Sequence, residues 1–64
     1  MMRVFADALL KLLREERENY ADDVAKGRCN SFDEYKRLCG LIQGLELSEH
    51  HIADLANRME SDNG

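Results

Sequence analysis

The chain has 64 residues, no proline, and 13 acids against nine bases, for a net charge of −4. That is room for one small domain, which buries only about 60% of its unfolded surface and needs disulfides, a metal, unusual packing or a partner to be stable. The acidic balance is wrong for general phosphate-backbone binding, and no apolar run approaches the roughly 18 residues of a membrane span, so neither nucleic acid nor membrane is expected as a direct partner.

Strand formers are sparse and glycine is scarce, with only four residues. This composition favours an all-α chain built from long helices. Met2 to Lys26 reads as the first helix, with Phe5, Leu9, Leu12, Glu16, Tyr20 and Val24 recurring at three- and four-residue steps. Leu10 and Leu13 widen that stripe, although Leu10 is expected to fall outside the hairpin seam. Lys11, Arg14, Glu15, Arg17, Glu18, Asp22 and Asp23 cover the opposite side. Such a helix would be about 37 Å long.

Lys26-Gly27 is a stop signal, because glycine can take the left-handed conformation that closes a helix. Residues 27–31 then form a tight turn. Ser31-Phe32-Asp33-Glu34 matches a capping box, in which Ser31 accepts from the amide of Glu34 and the Glu34 carboxylate returns to the amide of Ser31. So short a connection joins antiparallel neighbours, and an antiparallel two-helix hairpin is the expected fold.

The second helix is expected over residues 32–59. Its seam is Tyr35, Leu38, Ile42, Leu45, Ser48 or Glu49, Ile52, Leu55 or Ala56, and Met59. Folding back about the turn sets Tyr20 near Leu38, Leu12 or Leu13 near Leu45, Phe5 near Ile52 and Met2 near Leu55. Glu16 is the discordant member and should lean to the edge. A break near Ser48, capping a third helix, is the alternative to one continuous helix. One domain, residues 1–60, is thus followed by a frayed polar tail, residues 61–64.

From Leu38 to Leu47 only Gln43 and Glu46 are neither apolar nor glycine. Gly40 and Gly44 each cost a helix interior about 1 kcal/mol relative to alanine, which calls for a packing reason. A hairpin buries one stripe per helix and leaves little to offset the entropy of ordering the chain. Leu38, Gly40, Leu41, Gly44, Leu45 and Leu47 are therefore the expected interface to a partner, in a homo-oligomeric helical bundle or on a larger protein.

Catalytic and cofactor chemistry is not expected. Glu46, His50 and Asp54 share a helical face, but one helix supplies too few ligands for a metal site. Aligning Gly27 with the glycine of a calcium-binding loop puts Val24 and Lys26 at ligand positions. Cys29 and Cys39 read as free thiols in a reducing compartment. Neighbouring acids such as Glu15-Glu16 point in different directions, and a hairpin lacks a cleft for a small-molecule substrate. Arg3, Asp7 and Lys11 interrupt any signal-peptide core, so an intracellular location, in a cell or in a particle assembled there, is expected.

Tyr35-x-x-Leu38-x-Gly40-x-Ile42-x-Gly44-Leu45, following a charged first helix, resembles a pattern in short helical proteins encoded among the head and packaging genes of tailed bacteriophages. The resemblance covers roughly residues 27 to 59. It implies a small virion or head-assembly protein, in host cytoplasm or virion, attached to capsid, portal or tail components, and it carries over no catalytic or binding residue. A small acidic regulator that inhibits a host or phage enzyme through Asp22 and Asp23 is the alternative reading.

Overall fold

The computed structural model describes the backbone of Met2–Asn63 and the side chains of residues 3–61. It contains two helices, α1 (Met2–Ala25) and α2 (Phe32–Asn63), packed as an antiparallel hairpin 49 Å long. Long-range contacts fix the direction: Arg3 of α1 donates to Asn57 near the end of α2, while Arg17 reaches Glu49 in its middle.

Both expected signals at the turn are present. The Arg28 amide donates to the Asp23 carbonyl at 2.9 Å and the Gly27 amide to that of Val24 at 3.2 Å, with Gly27 at φ 69°. This paired closure is what a left-handed glycine permits at a helix end. Ser31 opens α2 by accepting from the Glu34 amide at 3.1 Å. The return bond of the capping box is displaced by one residue, because the Glu34 carboxylate accepts from the amide of Asn30 instead of Ser31.

α2 is continuous through Ser48, so the possible break does not occur. The Ser48 hydroxyl donates to the Gly44 carbonyl one turn back at 2.8 Å, a bond that lets serine sit in a helix interior without capping a new one. α2 also runs past Met59 to Asn63, where a polar tail was expected from residue 61. Gly64 and the side chain of Met2, expected near Leu55, lie outside the described residues.

The seam differs in phase from the expected one. Ala6, Leu10, Leu38 and Ala56 are the buried ones among the described residues, and Leu10 is only 7% exposed although it was expected off the seam. Leu9, Leu13, Tyr20 and Val24 are half-buried, whereas Phe5 and Leu12 are 66% and 62% exposed. Between the alternatives in α2, Glu49 and Ala56 face α1; Ser48 and Leu55 do not. The physical reason is that α1 carries two adjacent apolar lines, Phe5–Leu9–Leu12 and Ala6–Leu10–Leu13. The second includes alanine, which lets the helices approach, and it continues to Arg17, which has a partner across the seam. Glu16 is exposed, as its charge requires.

Candidate interaction surface

The hairpin has two broad faces of opposite character. On one, Arg17 Nε donates to Glu49 Oε2 at 2.7 Å, and Arg14 lies 3.3 Å from the other carboxylate oxygen. Glu49 is 12% exposed, and its carboxyl is held below the usual carboxylate range, foremost by the hydrogen bond from Arg17 against the opposing effect of burial. The same bond raises the Arg17 guanidinium above its ordinary value. Glu46 and His50 line the shallow groove around this pair, and toward the open end Arg3 approaches Asp7 and Glu60.

The other face is apolar. Phe5 and Leu9 of α1, with Ile52, Leu55 and Met59 of α2, line a groove of about 170 Å³ whose walls carry no polar side chain. Helical spacing continues it along both elements. Phe5–Leu9–Leu12 forms one line, and Leu41–Leu45–Ser48–Ile52–Leu55–Met59 the other, at alternating steps of four and three. Leu55 is 57% exposed, and Leu41, on the same line about four helical turns nearer the turn, is 37% exposed.

The six residues expected at an interface divide among three places. Leu38 is buried inside the hairpin and unavailable to a partner. Leu41 and Leu45 belong to the apolar broad face. Gly40, Gly44 and Leu47 follow an outer line turned further from α1, and a Cβ placed on either glycine would meet nothing within 4 Å. The glycines therefore do not serve contact between α1 and α2. Phe5, Leu12 and Leu55 were assigned or offered to the seam and are instead the broad face's large exposed side chains; their four-and-three spacing was the visible signal.

Other candidate chemistry has local structural explanations. Asp54 pairs with Arg58 at 2.9 Å, and among the described residues no group of His, Cys, Asp and Glu has the proximity of a metal site. Partial burial pushes the Cys29 thiol up, with Glu34 and Cys39 adding to the shift, and hydrogen bonding with Cys39 pushes the Tyr35 phenol up. Both shifts work against ready nucleophiles at neutral pH. Both cysteines are free and half-buried. Asp22 and Asp23 are matched by Lys26 at 3.1 Å and Arg28 at 3.0 Å, so the turn end is less bare of cations than the sequence implies. No helix of the described residues is long and apolar enough to cross a membrane. Comparison with protein-family models, curated proteins and solved structures gives no match.

Proposed function

We propose that this chain is a non-enzymatic assembly protein whose working part is the apolar broad face, which associates with further copies or docks on a larger structural protein. One observation carries the reading: Phe5, Leu12, Leu41 and Leu55 stand exposed on the same side of a hairpin in which only four of the described residues are buried. Large apolar side chains gathered on one face mark a contact surface far more often than scattered ones do. The opposite face is polar and ion-paired, which suits it to water. A place among the head or packaging components of a tailed phage follows from the resemblance at Tyr35–Leu45 and belongs to this proposal. The rival reading, enzyme inhibition through an acidic α1, draws less support because Asp22 and Asp23 already have cationic neighbours.

The test is a double substitution, Leu12→Glu with Leu55→Glu. Both sites are exposed, so helicity by circular dichroism should persist while association measured by light scattering and binding of an apolar dye are lost. Unchanged association and dye binding in a folded variant would remove the face from consideration.

A further inference from the structure

Sulfur is divided between the two ends of the hairpin among the described side chains. Cys29 and Cys39 lie toward the turn, half-buried and free. Met59 stands toward the open end, where it closes the apolar line of α2 and helps wall the groove with Phe5, Leu9, Ile52 and Leu55. It is half-buried, so part of the residue packs along the groove while the rest meets solvent.

The two kinds of sulfur differ in how they meet an oxidant. A thiol reacts through its deprotonated form, whereas a thioether reacts as the neutral atom and needs only to be reached. Burial, with Glu34 and Cys39 adding to it, raises the Cys29 thiol and holds back that competing site. Met59 has no such restraint, because the groove it lines is open along the surface.

The groove is poorly suited to the oxidised product. A sulfoxide is polar, and its oxygen needs a donor or water. The residues walling the groove are all apolar and supply no side-chain donor. Arg3, at the same end, is turned to the other face, where Asn57, Asp7 and Glu60 already engage it. While the face is bare, water satisfies the new oxygen. Covering the face removes that water and puts nothing in its place. The hairpin itself is affected less, since Met59 is not among its buried residues.

Resting on the reading of this face as a contact surface, we propose that Met59 is an oxidation site through which peroxides weaken that contact. The thioether sulfur attacks the terminal peroxide oxygen, the O–O bond breaks, and the S–O bond of the sulfoxide forms. The remaining oxygen leaves with the proton as water or an alcohol, so sulfur loses two electrons and the peroxide gains them. A thiol-dependent sulfoxide reductase reverses the change, oxidising two thiols to a disulfide and releasing water.

The experiment uses the full chain with Cys29→Ala and Cys39→Ala, treated with hydrogen peroxide, and locates the added oxygen by peptide mass spectrometry. Oxidation at Met59 should leave helicity by circular dichroism in place and weaken association and apolar-dye binding about tenfold or more. Sulfoxide reductase should restore both. Met59→Leu should associate normally and ignore peroxide, although Met1 and Met2 are still present. Met59→Gln should imitate the oxidised chain without any treatment. Full oxidation at Met59 with undiminished association, or equal peroxide sensitivity in Met59→Leu, would overturn the assignment. Loss of helicity on oxidation would also overturn it, by making Met59 a support of the fold. If the untreated chain neither associates nor binds the dye, the contact surface itself falls, and the oxidation site falls with it.

Discussion

Glu49 shows how a carboxylate can sit in a largely apolar seam. It occupies a core register position, and two arginines one turn apart on α1 supply the charge its burial would otherwise leave uncompensated. Its carboxyl is depressed in the folded chain, so its stabilising contribution is present above the ordinary carboxylate value and is lost as pH falls through the lower folded one. Arg17 is raised from an already high value, and its contribution stays constant through neutral pH. The melting temperature should therefore decline on acidification below about pH 5, and Glu49→Gln should flatten that decline while lowering the plateau. A variant with the native acid slope would take Glu49 out of the pH response. The glycines give a second residue-scale prediction. Gly40 faces open space, so Gly40→Ala should stabilise the fold by about 1 kcal/mol in urea denaturation. A loss of stability there would mean that something already packs against Gly40.

At the scale of elements, the turn was the most legible part of the chain because its signals are local. Gly27 and Ser31 work through bonds to residues within five positions of themselves. Ser31→Ala should cost about 1 kcal/mol, and Gly27→Ala about 1–2 kcal/mol, because its φ of 69° suits few other residues. Thermal melts of the two variants measure both effects. The seam was less legible. Periodicity finds apolar lines but not which of two adjacent lines turns inward, and Phe5–Leu9–Leu12 and Ala6–Leu10–Leu13 are offset by a single residue. Alanine in one line and the Arg17–Glu49 pair across the seam decided it, and neither adds to an apolar count. The same offset hid the broad face, since residues assigned to the seam were left outside. The surplus of apolar surface was visible in the sequence around Leu41, but its extension through Phe5, Leu12 and Leu55 needed the packing of α1 on α2.

For the whole molecule the consequence is coupling between folding and association. Among the described residues, the buried set includes two alanines and no side chain that is completely enclosed, a thin core for a rod 49 Å long. If self-association through the broad face supplies the missing contact, the unfolding equilibrium of a dimer takes one folded pair to two unfolded chains and depends on total concentration. A tenfold rise in concentration then adds about 1.4 kcal/mol per dimer. Spread over the unfolding entropy of two such chains, this raises the melting temperature by roughly 5 °C per decade. Scanning calorimetry and circular dichroism from about 10 µM to 1 mM, the range a micromolar dimer would span, should show that climb. The Leu12→Glu, Leu55→Glu chain should melt lower and at one temperature throughout. A native midpoint that ignores concentration while the mass stays monomeric would mean that α1 and α2 alone hold the fold, and the broad face would then need a different occupant.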